Sequence, residues 1–70
     1  MTTIDTNRLG LTIYFEPLEL GGGICSILDE DYNILVSDIF GHTRALAIQR
    51  ARDERRKLSM AILPNLKKTK

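Results

Sequence analysis

Three consecutive acidic residues, Asp29-Glu30-Asp31, are the first candidates for chemistry, because clustered carboxylates can bind a divalent cation. A calcium-binding loop needs D-x-D-x-D-G spacing and a glutamate at its twelfth position, and this stretch has neither. A two-metal site would require Asp38 to meet Asp29 or Asp31 from another strand, which we consider the weaker interpretation. We therefore expect a solvated turn here and no metal site.

His42 and Cys25 are the only histidine and the only cysteine of the chain. They are too few for a zinc site within one chain, and as a nucleophilic pair they would need a third group that orients the histidine. We expect His42 in a turn before a helix and Cys25 buried in a strand. The sequence therefore predicts no enzyme activity and no cofactor.

Basic residues in the second half of the chain raise nucleic-acid binding as an alternative function. The candidates are Arg50, Arg52, Arg55, Arg56, Lys57, Lys67, Lys68 and Lys70. At about 100° per residue the arginines are distributed around the helix. This disfavours a model in which arginines on one side of the helix contact a groove of the nucleic acid. The lysines of the tail would add phosphate contacts.

Formal charge is divided between the two halves of the chain. Residues 1–41 carry seven acidic residues against Arg8, a charge of −6, and residues 42–70 carry nine basic against two acidic residues, a charge of +7. Such asymmetry can orient and steer a partner. The alternative is that the two halves attract each other within the fold.

One long helix is predicted over Gly41–Leu58, with Thr43 as its N-cap. Its apolar side comprises Ala47, Ile48, Ala51 and Leu58. Arg55 falls within this arc, and we expect its stem along apolar surface and its charged head in water. Ser59–Leu63 either extends the helix or forms a short strand, and Pro64 is expected to end it.

Alternating apolar and polar residues predict three strands, at Leu9–Glu16, Ile24–Leu28 and Ile34–Phe40. The polar stretch Met1–Asn7 is expected to be loose. Gly21-Gly22-Gly23 predicts a flexible turn, and residues 29–33 predict the tip of a hairpin. Residues 65–70 are expected to be a frayed basic tail.

These elements predict a single α+β domain over residues 1–70, with an ordered core of about 9–63: a three-stranded antiparallel sheet packed on one long helix, with or without a short fourth strand. A chain of this size buries only about 60% of its unfolded surface, so a homodimer would help. Strand Leu11–Glu16 would form it if that strand is an open edge. Without a signal-peptide or membrane-spanning pattern, we expect a soluble cytoplasmic protein.

Several stretches resemble the HicB-type antitoxin module, a partial RNase H-like fold. LTIYFE at residues 11–16 is similar to its opening strand, and Gly22-Gly23-Ile24 is similar to its turn and second strand. The spacing at its helix start is matched by Gly41, Thr43, Ala47, Ile48 and Ala51. The family's Pro-x-x-Pro-Gly stretch and its second, DNA-binding domain are missing from this sequence. The resemblance covers residues 9–63 and implies a sheet-on-helix fold with an antitoxin-like role.

The spacing of Phe40, Thr43, Ala47 and Ala51 is also similar to the three-strand-plus-helix domains of phage integrase arms and plant ethylene-response factors. Those domains read DNA with the exposed sheet face, using arginines and aromatic residues. The predicted sheet half of this chain instead carries seven acidic residues and one arginine. Phosphates would be repelled by it, which disfavours DNA binding by the sheet.

The sequence favours a small non-enzymatic inhibitor, antitoxin-like or of the phage anti-defence (anti-CRISPR) kind. It would block a basic, nucleic-acid-binding partner protein through an acidic sheet surface, with tyrosines as anchors. The predicted partner-binding residues are Tyr14, Glu16, Glu19, Asp29, Glu30, Asp31, Tyr32 and Asp38.

Overall fold

The computed structural model describes the backbone of residues 2–68 and the side chains of residues 2–62. Four strands are followed by one helix: β1 (Thr2–Thr6), β2 (Thr12–Pro17), β3 (Gly23–Leu28), β4 (Ile34–Gly41) and α1 (Arg44–Lys68). The strands form one antiparallel sheet in the order β1-β2-β3-β4, and α1 packs on β2, β3 and β4. The α+β class is confirmed, with four strands where the sequence predicted three.

The additional strand is β1, in a stretch that was expected from its polar sequence to be loose. Thr2 pairs with Phe15 and Thr6 with Thr12 across the β1–β2 ladder, and the hydroxyls of Thr6 and Thr12 lie 2.7 Å apart. Threonine suits a half-exposed strand, although a threonine-rich stretch shows little apolar alternation. The prediction of a loose N-terminus is therefore wrong.

Because β1 pairs with β2, β2 lies inside the sheet, and the open edge that a homodimer through Leu11–Glu16 would require is not present. The edge strands are β1 and β4. Strand β4 has two irregularities in its register with β3, and Asp38 has a positive φ of 59° beside one of them. Bulges of this kind discourage pairing with a further strand.

The helix begins as predicted and ends later. The backbone N–H of Leu46 donates to Thr43 Oγ1 at 3.1 Å, which confirms the N-cap. Ser59–Leu63 is helical, so a fourth strand there is ruled out, and the prediction that Pro64 ends the element is wrong. A proline removes one backbone hydrogen bond without always ending a helix, and Ile62 packs against the core just before it.

The core lies between α1 and the inner face of the sheet. It comprises Leu11, Ile13, Phe15, Cys25, Ile27, Ile39, Ala47, Ile48 and Ala51. Ala47 and Ala51 lie on the predicted apolar side of the helix, and their small side chains let it approach the strands closely. Cys25 is fully buried, as expected, and this burial raises the pKa of its thiol.

Two glycines allow the close approach of backbone segments where β4 leads into α1. A Cβ on Gly41 would overlap the backbone nitrogen of Ala47 in the first turn of the helix. Gly22 has a φ of 71°, and a Cβ there would overlap the Gly41 carbonyl oxygen. Gly21 and Gly22 lie in a turn, as predicted, and Leu18 N–H donates to the Gly22 carbonyl across it, whereas Gly23 begins β3. The glycines of this stretch therefore serve packing as well as turning.

Candidate functional site

The face of the sheet opposite α1, called here the outer face, is the candidate site. Side chains alternate between the two faces of a strand, so the residues between the core positions of β2 and β3 point outward. Cross-strand pairs of the outer face join Ile24 to Phe40 and Leu28 to Ile34, with Tyr14 opposite Ser26. Within residues 2–68 the one helix lies on the inner face, so these side chains are left uncovered.

Large apolar side chains on the outer face are exposed to solvent. Ile34 is 66% exposed, and Phe40 is 42% exposed. Their partners across the ladder, Ile24 and Leu28, are half-buried. We call these four residues the apolar patch. Scattered exposed apolar residues are common, but here two apolar cross-strand pairs lie on the same uncovered sheet face, with Tyr14 and Ser26 between them. Apolar side chains grouped on one face in this way are typical of an interaction surface.

Phe40 makes one contact through its ring and one through its backbone carbonyl. Its ring packs edge-on against His42, with 5.3 Å between the ring centroids. Its carbonyl oxygen accepts a hydrogen bond from Arg50 Nη1 at 2.9 Å. The edge contact with His42 restrains the Phe40 ring, and a side chain that is restrained before binding loses less conformational freedom, which suits an anchor residue. His42 is thus an exposed turn residue, as predicted, whereas Cys25 is buried on the inner face.

The predicted acidic residues lie at opposite ends of the sheet. Glu16 pairs with Ile24 at one end of β3, and Asp29-Glu30-Asp31 follows Leu28 at the other end. Four residues of a strand span about 13 Å, so these carboxylates do not form one cluster. Glu19 lies in the turn beside Glu16, and Asp38 lies on the exposed edge strand. The structure therefore places carboxylates around the apolar patch.

Asp29 has a structural role within its turn. Its Oδ1 accepts hydrogen bonds from the backbone N–H groups of Asp31 and Asn33, each at 2.9 Å, and its Oδ2 accepts one from Asn33 Nδ2 at 3.1 Å. The bond from the Asn33 backbone is the largest of the effects that lower the pKa of Asp29. Tyr32, at the tip, has a positive φ of 64° and is exposed. Among the predicted acidic residues, Asp29 therefore uses its carboxylate for hydrogen bonds within the turn.

The described part of the chain contains no group of three or more histidine, cysteine, aspartate or glutamate side chains placed to hold a metal ion. Over the same residues, the helix is not apolar enough along its length to cross a membrane.

Each of the six basic residues between Arg44 and Lys57 has a partner within the fold. Arg44 lies over the Phe15 ring, Arg50 donates to the Phe40 carbonyl, Arg52 and Arg55 bind Asp5, Arg56 pairs with Asp53, and Lys57 pairs with Glu54. The side chains of Lys67, Lys68 and Lys70 lie outside the described residues. The predicted nucleic-acid surface is therefore partly engaged in internal contacts.

Arg55 departs most from its predicted environment. We expected its head in water, but the side chain is only 13% exposed. Its Nη1 donates to the Asp5 carboxylate and, at 3.3 Å each, to the carbonyl oxygens of Asp5 and Leu11. The correction follows from β1, because Asp5 reaches the helix only when Thr2–Thr6 joins the sheet. Among the described residues, Asp5 is also the one acidic residue of the first half that forms salt bridges with the helix.

No protein-family model, curated protein or solved structure matches this chain. The resemblance to the HicB-type module therefore stays a prediction from the residues quoted above.

The apolar patch was missed in the sequence, although a signal for it is present. The stretches ICSIL and ILVSDIF carry apolar residues at both alternations of the strand period. Such runs indicate strands that are apolar on both faces. When these stretches are taken as half-buried strands, only one face of each strand is expected to be apolar, and the apolar residues on the second face are not recognised.

Proposed function

We propose that this chain is a small protein-binding module of the inhibitor type, which docks the outer face of its sheet on another protein. The observation that carries this proposal is the exposed apolar patch of β3 and β4 on a face that α1 leaves uncovered. The buried centre of a specific interface is typically more apolar than its rim and enriched in aromatic anchors that lose their water on binding.

The chemistry around the patch favours a partner with a basic rim. Five of the predicted carboxylates are exposed near its ends and edge: Glu16, Glu19, Glu30, Asp31 and Asp38. They would face lysines and arginines of a partner and raise the rate of encounter. A second copy docked face to face would place carboxylates against carboxylates, which disfavours that occupant.

Proteins that bind single-stranded nucleic acids combine a basic groove with aromatic side chains on which the bases stack, and a sheet face with carboxylates and apolar side chains is complementary to such a groove. Occupying the groove would block the partner's nucleic acid. This supports an antitoxin-like or anti-defence role of the anti-CRISPR kind, as the size and charge of the chain suggested.

The proposal is tested by affinity capture from a nuclease-treated lysate of the native host, with the patch variant Ile34→Ser/Phe40→Ser beside the unaltered chain. Met60→Ser is the matched control, because Met60 is also 66% exposed but lies on α1. We expect a protein that is captured by the unaltered chain and by the control, and at least about tenfold less by the patch variant. Equal capture by all three chains contradicts the proposal.

A further inference from the structure

We propose that a cleft between the β1–β2 turn and α1 binds a single phosphate group, on free phosphate or on a small phosphate monoester. The cleft has a volume of about 440 Å³. Its charged and polar lining residues are Arg8, Arg52, Arg55, Arg56, Asp53, Asn7 and Ser59. It lies on the helix side of the sheet, so this inference is independent of docking by the outer face.

The wall of the cleft is built by the β1–β2 turn. Asn7 Oδ1 accepts hydrogen bonds from the backbone N–H groups of Leu9 and Leu11, at 2.9 and 3.0 Å. Asn7 Nδ2 donates to Ser59 Oγ at 3.1 Å, and Ser59 Oγ donates to the Arg55 carbonyl at 2.9 Å. This chain of bonds ties the turn to the helix and sets Arg8 beside the helical arginines.

The floor of the cleft is Arg55, whose guanidinium is held by Asp5 and by two backbone carbonyls. Arg52 and Arg56 are 57% and 76% exposed, and their ion pairs with Asp5 and Asp53, at 3.2 and 3.7 Å, are open to water. Exposed pairs of this kind are weak and give way to a stronger acceptor.

Arg8 forms no salt bridge and no side-chain hydrogen bond with any of the described residues. Its five N–H donors are therefore available to a ligand. Four arginines against Asp5 and Asp53 leave a formal charge of +2 at the cleft. That balance suits a doubly charged anion.

Guanidinium groups bind phosphate oxygens through paired hydrogen bonds, and several of them at one place favour a dianion over chloride. The four arginines line one cleft, whereas a nucleic-acid backbone presents phosphates in a row and needs a track of cations. The geometry thus points to one phosphate group.

The test is an NMR titration of the arginine Nε–H resonances with inorganic phosphate, with sodium chloride at matched ionic strength as the reference. Arg8→Ala and Arg56→Ala should each weaken phosphate binding about tenfold, the loss expected for a charge-assisted hydrogen-bond pair. Lys57→Ala is the matched control, because Lys57 is exposed and adjacent to Arg56 but does not line the cleft. It should leave the affinity within about twofold, and thermal unfolding verifies that all three variants fold.

A parallel titration with O-phosphoserine distinguishes the two sources of phosphate. Tighter binding of phosphoserine identifies a monoester site, and tighter or equal binding of inorganic phosphate identifies a site for the free ion. Shifts that do not saturate, or equal weakening by Lys57→Ala and Arg8→Ala, would overturn the proposal. A single-stranded oligonucleotide whose binding is weakened equally by Lys57→Ala and by Arg8→Ala would also overturn the proposal, because that result would indicate a nucleic-acid surface.

Failure of this inference leaves the outer-face proposal standing, and the reverse also holds. The patch variant Ile34→Ser/Phe40→Ser should retain phosphate binding, because neither residue lines the cleft. Arg8→Ala should retain protein capture.

Discussion

Asp5 is the residue on which the N-terminal strand depends. It reaches Arg52 and Arg55, which follow it by 47 and 50 residues, and it thereby fixes β1 to the helix. Arg55 contributes further bonds to backbone carbonyls at both ends of the β1–β2 turn. A polar contact, together with the strand ladder, therefore completes the sheet.

Replacing Asp5 by Asn should destabilise the fold by about 1–2 kcal/mol, because the half-buried Arg55 loses its charged partner while solvent screens part of the effect. Chemical denaturation of the variant and the unaltered chain measures this difference. Asp53→Asn is the control: its pair with Arg56 is exposed at 3.7 Å, and the change should stay within about 0.5 kcal/mol. Equal losses in both variants would contradict the role assigned to Asp5.

The same pair predicts a dependence of stability on pH. The hydrogen bond from Arg55 is the largest of the effects that lower the pKa of Asp5 below its ordinary value of 3.8. Stabilisation by Asp5 is therefore fully present above that value and is lost as the pH falls through the lower pKa of the folded state. Denaturation curves from pH 6 to about pH 2 should show the difference between the unaltered chain and Asp5→Asn shrink only below about pH 4. A difference that stays constant to pH 2 would exclude this linkage.

At the scale of elements, the junction between β4 and α1 sets how closely the helix lies on the sheet. Gly41 ends the strand and faces Ala47 in the first helical turn, with Gly22 against it from the neighbouring turn. The Thr43 cap then fixes where the helix starts. A side chain at Gly41 would move the helix away from the core.

Gly41→Ala should therefore cost about 3 kcal/mol of unfolding free energy, since its Cβ meets backbone that cannot rotate away. Gly21→Ala is the comparison variant. Gly21 has a φ of 103° but open space around it, so only the backbone strain of about 1 kcal/mol applies. Thermal and chemical unfolding of both variants measures the two costs. Similar losses would mean that packing against Ala47 is unimportant.

Strands β2, β3 and β4 were predictable because their apolar residues recur with the strand period, and Thr43 and the alanines marked the start and inner side of α1. Strand β1 was not predictable in this way. Its sequence TTIDT offers one apolar residue, and its place in the sheet is set by contacts with residues far along the chain. The extension of α1 past Pro64 was not predicted because a proline was expected to end the helix, although it removes only one backbone hydrogen bond.

The candidate site was predicted in part. The sequence identified the acidic residues and the tyrosines, but not that the carboxylates lie at the two ends of the sheet or that Asp29 is engaged in its own turn. The alternation of apolar and polar residues along a strand predicts that one face of the strand packs in a core. Only the position of the helix in the structure shows which face of the sheet stays exposed. Phe40 and Ile34 emerged as site residues for that reason.

At the scale of the whole molecule, two surfaces of opposite character lie on opposite sides of the sheet. The outer face combines an apolar patch with surrounding carboxylates, whereas the helix side presents an arginine cleft. The uneven charge of the two halves of the chain is thus preserved in the fold, with Asp5 as the contact where they meet. The predicted homodimer stays a prediction, and its edge would have to be β1 or β4.

Carbene footprinting of the captured, nuclease-treated complex against the free chain shows directly whether the outer face binds the partner. Labelling should fall at Tyr14, Ile34 and Phe40 on the outer face, and labelling at exposed Met60 on α1 should be unchanged. Protection confined to α1 and its arginines, with the apolar patch labelled as in the free chain, would contradict the claim that the outer face binds the partner.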